Sequence, residues 1–108
     1  MDSFSKQPYE AFVIYGDIVD VQLAGEAIAI GNSSVVAEDK DGNDVSTVVL
    51  DQSTIAVGDS PDGGTSNILQ IQCRAGVGTE SPYKVSFKME TDQNNKWEVD
   101  VKMKVKEL

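Results

Sequence analysis

The sequence predicts an all-β protein, a sandwich of about seven or eight antiparallel strands. Three observations lead there. From Tyr83 to Val105 the odd positions are apolar and the even positions polar on both sides of a polar break. That alternation marks strands with one buried face. Upstream, short apolar or β-branched runs are separated by Gly, Pro, Asn and Asp clusters, the spacing of a many-stranded sandwich or barrel. No segment keeps a helical period for more than a turn.

The Tyr83–Val105 stretch predicts its own pairing. Tyr83, Val85, Phe87 and Met89, then Trp97, Val99, Val101, Met103 and Val105, face inward. Thr91-Asp92-Gln93-Asn94-Asn95 suits the turn. One register sets Lys88 against Glu98, Glu90 against Lys96, Met89 against Trp97 and Phe87 against Val99. Opposite charges facing each other contribute about 0.2–1 kcal/mol per pair. Sliding by two residues would oppose like charges, and sliding by one would mismatch the faces. The only tryptophan and two of the three methionines lie on the apolar phase. The hairpin, with Trp97, is therefore expected at the centre of the core.

In chain order, residues 1–9 are polar with Pro8 and read as a flexible N-terminal segment, loose or briefly paired. Residues 10–108 read as one domain. Phe12-Val13-Ile14-Tyr15 is a first strand ended by Gly16-Asp17. Ile18 to Leu23 is a second extended piece, ended by Gly25. Glu26 to Ile30 leads to a Gly31-Asn32 turn, and Ser34 to Glu38 is extended. Asp39-Lys40-Asp41-Gly42-Asn43-Asp44 is the strongest local turn signal, since Asp-Gly and Gly-Asn supply positive φ. Val45, Val48, Val49 and Leu50 suggest a β-branched strand, and Ile55 to Val57 a short one. Gly58 to Asn67, with Pro61 and Gly63-Gly64, reads as a flexible loop. Ile68 to Arg74 alternates with Leu69, Ile71 and Cys73 inward. Ala75 to Pro82 is a loop leading to Tyr83. A Tyr opening the penultimate strand suggests a tyrosine corner, the brace of immunoglobulin-like sandwiches. Leu69 to Cys73 would then be strand E and the final hairpin strands F and G. Phe87 and Trp97 would fill the space between sheets.

Composition bounds the function. The chain has 108 residues, one domain with a modest core. Nine basic and eighteen acidic side chains leave a net charge of −9. The acidic excess lies in residues 1–80, outside the hairpin. Nucleic acid and anionic membranes require a basic footprint, so neither is expected as a partner. Cys73 is the only cysteine, so no internal disulfide forms, and its place in a strand's apolar phase suggests a small buried hydrophobe. There is no histidine, which removes the commonest general base and metal ligand. Met1-Asp2-Ser3-Phe4 does not open like a secretory leader, and no run has transmembrane length.

No constellation reads as catalytic, and no metal or cofactor is expected. Asp39 to Asp44 resembles a calcium loop only faintly. Glycine falls at position four and Leu50 at twelve, where that geometry needs glycine at six and glutamate at twelve. Asp17, Asp59 and Asp62 could gather with it at one end of a sandwich. Ser33-Ser34 and Ser53-Thr54 lack a histidine to activate them. Gly58 to Gly64 lacks the lysine of a phosphate loop. Lys102, Lys104 and Lys106 form a basic stripe on the last strand. It would guard an outer strand against edge pairing, or dock an acidic protein partner.

Ala75-Gly76-Val77-Gly78-Thr79, Tyr83-Lys84-Val85, Glu90-Thr91 and Val105-Lys106-Glu107 together resemble a family of small bacteriophage and prophage structural proteins. These have immunoglobulin-like folds, and the likeness is to the fibre-tail adaptor type. Upstream, Asp17, Leu23 and Gly25-Glu26-Ala27-Ile28 extend it over most of residues 8–107. Thr79-Glu80-Ser81-Pro82-Tyr83 departs from the pattern, being longer and carrying a proline. The resemblance implies a non-catalytic virion protein, assembled in the bacterial cytoplasm. Its partners would be other virion proteins or itself. The rival expectation is a cell-surface or carbohydrate-binding immunoglobulin-like module, for which Tyr9, Tyr15 and Phe12 are the aromatic candidates.

Overall fold

A computed structural model describes residues 2–106. Met1, Glu107 and Leu108 lie outside the described residues, and with Glu107 the end of the Val105-Lys106-Glu107 motif. Among the described residues are seven strands: β1 (Asp2–Lys6), β2 (Phe12–Asp17), β3 (Ser34–Glu38), β4 (Leu50–Gly58), β5 (Ile68–Cys73), β6 (Tyr83–Glu90) and β7 (Lys96–Val105). A single helical turn, α1 (Ser46–Val49), precedes β4, and short 3-10 turns lie at Ile30–Asn32 and Gly78–Glu80. The strands form two sheets, ordered β1-β7-β6-β3 (sheet I) and β2-β5-β4 (sheet II). The chain is an all-β sandwich. Its β2-β5-β4 and β3-β6-β7 orders correspond to the B-E-D and C-F-G orders of immunoglobulin-type sandwiches.

The hairpin pairs in the register that charge predicts. Lys88 faces Glu98, Glu90 faces Lys96, Met89 faces Trp97 and Phe87 faces Val99. Lys96 Nζ lies 3.5 Å from Glu90 Oε1. The inward phase of β6, β5 and β3 then fills the core. Val85, Phe87, Leu69, Ile71, Cys73 and Ala37 are fully buried, joined by Leu50 and Val49. Gly16 of sheet II packs directly on Phe87 of sheet I. A Cβ at Gly16 would lie 2.8 Å from Phe87 Cβ.

Four expectations change. Trp97 is 37 % exposed rather than central. The reason is lateral cover. β1 pairs with β7 only from Val101 to Val105, so Trp97 lies on a stretch of β7 with no strand on the side away from β6, while its hairpin partner Met89 is 2 % exposed. Burial along β7 deepens from Trp97 to Val105. Next, Asp2–Lys6, predicted loose, is a strand lying parallel on β7 from Asp2–Val101 to Lys6–Val105. Its only residues out of full solvent exposure are Phe4 and Lys6, a pattern that carries no apolar alternation.

The remaining two changes come from short polar side chains. Ile18–Leu23 is a turn, not a strand. Val19 N donates to Asp17 Oδ1 at 2.8 Å, and Val21 and Gln22 N donate to Ile18 O. Val45–Leu50 begins as α1 because Ser46 N and Oγ both donate to Asp44 Oδ1, at 2.9 and 2.6 Å. Local bonding by Asp and Ser outweighs the β preference of Val there.

Candidate binding surfaces

The loop before β6 is held by two buried polar side chains. Tyr83 is 1 % exposed, and its hydroxyl accepts a hydrogen bond from Val77 N at 2.9 Å. This is the tyrosine corner the sequence predicts. Burial pushes its pKa up. Gly76 suits the loop because it adopts φ +93° and because a Cβ there would sit 3.0 Å from Val105 Cγ2. The second brace is Lys6, which the sequence does not flag. It is 3 % exposed, and its ammonium donates to Ala75 O and, at 3.3 Å, to Pro8 O. Ala75 itself adopts φ 49°. Burial lowers the Lys6 pKa, while the Cys73 thiol and the Glu10 carboxylate pull it upward. Burial raises the Cys73 pKa, in keeping with a core hydrophobe.

At the other end of the sandwich, Glu26 and Asn67 organise the loops. Glu26 is 2 % exposed and accepts from Thr91 Oγ1 (2.6 Å), Asn95 Nδ2 (2.7 Å) and Leu23 N (3.0 Å). These bonds, the Thr91 hydroxyl first, hold its carboxyl below the usual range. Asn67 is fully buried. It accepts from Ser60 N at 2.7 Å and donates to Gly63 O and Gln22 Oε1. The Gly58–Asn67 connection, predicted flexible, is therefore folded around one amide. An Asn closing a glycine-rich loop next to a strand is the signal that could have marked it.

The acidic candidates do not come together. Asp39 accepts from Asn43 N, Asp41 N and Asn43 Nδ2 at 2.9–3.1 Å, an Asx-type turn that lowers its pKa, chiefly through Asn43. Lys40 N donates to Glu80 O, which places this loop at the Tyr83 end. Asp17 and Asp59 lie at the opposite end, bonded to Ser60 Oγ and Ser66 N, with Asp62 N bonded to Ser60 Oγ. The gathering of Asp17, Asp59 and Asp62 with Asp39 is thus corrected. No group of three or more metal-ligating side chains is assembled among the described residues. Ser33, Ser53 and Thr54 donate to a neighbouring carbonyl or carboxylate.

The predicted docking lysines share a solvent face. Lys102, Lys104 and Lys106 are all exposed. Lys84 faces Lys102 across the hairpin, so sheet I carries a contiguous basic row at its Tyr83 end. The edge-guard role does not apply at Lys102, where β7 is paired with β1 on one side and β6 on the other, and β1 also covers Lys104. Further along the same strand, Asp100 Oδ1 is buried without a hydrogen-bond partner.

Exposed apolar side chains concentrate elsewhere. Phe12, Val13 and Tyr15 of β2 are 37, 57 and 44 % exposed, and Tyr9 in the β1–β2 connection is 98 % exposed. No helix among the described residues is long and apolar enough to cross a membrane. No family model and no curated protein matches the chain.

Proposed function

We propose that the chain is a non-catalytic structural or adaptor module of a phage or prophage particle, acting through protein–protein contacts. The observation that carries this reading is the row of Lys84 on β6 with Lys102 and Lys104 on β7, continued by Lys106, with β7 paired on both sides at Lys102. Like charges facing one another across a hairpin cost stability. Glu38 faces Lys84 from β3 and offsets part of that cost, and an acidic protein surface meeting Lys102, Lys104 and Lys106 would offset the rest. The resemblance of the loop and hairpin motifs to fibre-tail adaptors points the same way. The virion is then its place of action, with other virion proteins, or further copies of itself, as partners.

Quantitative mass spectrometry of purified particles, after prophage induction in the bacterium that carries the gene, tests this. The chain is expected at a fixed stoichiometry per particle. The double substitution Lys102→Glu, Lys104→Glu should leave the fold intact and remove the chain from particles. Absence of the wild-type chain from intact particles overturns the reading.

The exposure of Tyr9 and Tyr15 favours a second reading, a cell-surface or carbohydrate-binding module. Saturable glycan or cell-wall binding, lost on Tyr9→Ala with Tyr15→Ala, would establish it in place of the first.

A further inference from the structure

A sandwich must dispose of its sheet edges, and here three of the four are shortened, blunted or capped. The free edge of β3 is covered: Val45 N donates to Ala37 O, Ala37 N to Ser46 Oγ and Gln52 Nε2 to Val35 O. β4 is broken by a bulge between Asp51 and Ala56, a common edge protection. β1 is short and carries charge at both ends. β2 has no cover and no bulge, and its one charge is Asp17 at its end. Phe12-Val13-Ile14-Tyr15-Gly16 holds no charge and no proline.

The direction of its free groups can be read from the ladder. Ile18 N donates to Asn67 O, and β2–β5 pairing continues without a shift to Phe12–Cys73. Backbone groups alternate sides along an antiparallel strand. The even residues therefore face β5, and Val13 and Tyr15 present their N–H and C=O to the open side. That side is a groove of about 500 Å³ between β1 and β2, lined by Phe4, Phe12, Ile14, Val99 and Val101. The Phe4 and Phe12 rings meet edge to face at 5.7 Å across it. Its charged lining residues are Asp2 and Asp17, both acidic.

We propose that the β2 edge receives an extended segment of a different protein, which adds a strand to sheet II. Alternate apolar side chains of that segment would enter the groove, and Lys or Arg at its ends would meet the acidic rim. Strand addition supplies affinity through main-chain hydrogen bonds and specificity through the alternate side chains. Charge complementarity selects the occupant. A second copy would bring the same acidic rim and a net charge of −9, whereas a basic-flanked segment is attracted. The inference rests on the protein-binding reading above and names where a partner docks and what it carries.

The test uses the full chain and the synthetic peptide Lys-Thr-Val-Thr-Val-Thr-Val-Lys. Its controls are a twin with Glu in place of both Lys and a twin with N-methylated backbone amides. Amide NMR titration should show saturable shifts at Val13 and Tyr15. The Glu twin should bind about tenfold more weakly, and the N-methylated twin should not bind. Val13→Pro removes an outward N–H at an edge position that tolerates proline and should abolish binding with the circular dichroism spectrum unchanged. If that variant does not fold, the N-methylated twin alone makes the same distinction.

Absence of binding, equal binding of the Lys and Glu peptides, or shifts at the lysine row instead of β2 would each overturn the proposal. So would a concentration-dependent dimer abolished by Val13→Pro, which would make a second copy the occupant. Presence of the chain in particles without peptide binding would leave the virion reading standing and remove this one.

Discussion

At the scale of single residues, the fold depends on a few polar groups placed where water cannot reach. Tyr83→Phe removes the acceptor of Val77 N in a buried corner. Leaving that donor unpaired should cost about 1–3 kcal/mol in urea unfolding. A comparison of two aromatics tests the placement of Trp97 on the stretch of β7 that β1 does not cover. Phe87→Ala empties a fully buried site and should cost about 3–5 kcal/mol. Trp97→Ala removes a ring that is 37 % exposed and should cost only about 1–2 kcal/mol. Equal losses would return Trp97 to the core. Glu26 gives a pH signature. Its folded pKa lies below the usual 4.5 because Thr91, Leu23 and Asn95 donate to it. Its contribution is therefore present above the unfolded pKa and is lost as pH falls through the folded one. In acid titrations of stability, Glu26→Gln should show a shallower dependence than the wild type as pH falls from the unfolded pKa to the folded one.

At the scale of elements, lengths and close approaches decide what each strand does. Gly16 lets β2 pack against Phe87, and an alanine Cβ there would fall within 2.8–3.3 Å of that side chain. Gly16→Ala should destabilise by about 1–3 kcal/mol, measured by thermal or urea unfolding. Loss of less than that range would show that β6 can yield. The hairpin register was legible because Lys88, Glu90, Lys96 and Glu98 leave one pairing free of like-charge contacts among them. β1 was not legible, since its two inner side chains are held by Phe4 against Phe12 and Lys6 against Ala75 O. Neither contact is visible in local periodicity. α1 was misjudged as strand because the Asp44–Ser46 bonds that start it depend on a turn only one residue long in its effect.

At the scale of the whole molecule, the pairings are long in sequence. β1 joins β7 across nearly the entire chain, and β2 joins β5 across the three elements between them. Closing such loops before the core rewards them makes folding slow. Stopped-flow refolding followed by Trp97 fluorescence should therefore run in milliseconds to seconds, as for other β-sandwiches. Submillisecond refolding would contradict this topology. The distribution of charge also belongs to this scale. The acidic excess sits in the loops and on the first five strands, while the hairpin carries the lysines on one face. A molecule so divided presents two chemically different surfaces, the lysine row of sheet I and the bare acidic-rimmed edge of sheet II.

The sequence by itself determined the all-β class, the hairpin and its register, the tyrosine corner and the exposed lysine phase of β7. Each is encoded by residues close together along the chain, through alternation, facing charges or a turn. Only the tertiary structure decided that β7 is paired on both sides from Val101 to Met103, that Trp97 lies beyond that cover, that the acidic loops lie at opposite ends and that β2 keeps an open edge. These depend on which strands become neighbours and how far each sheet extends. That is settled by packing between segments distant in sequence, where local pattern carries no information.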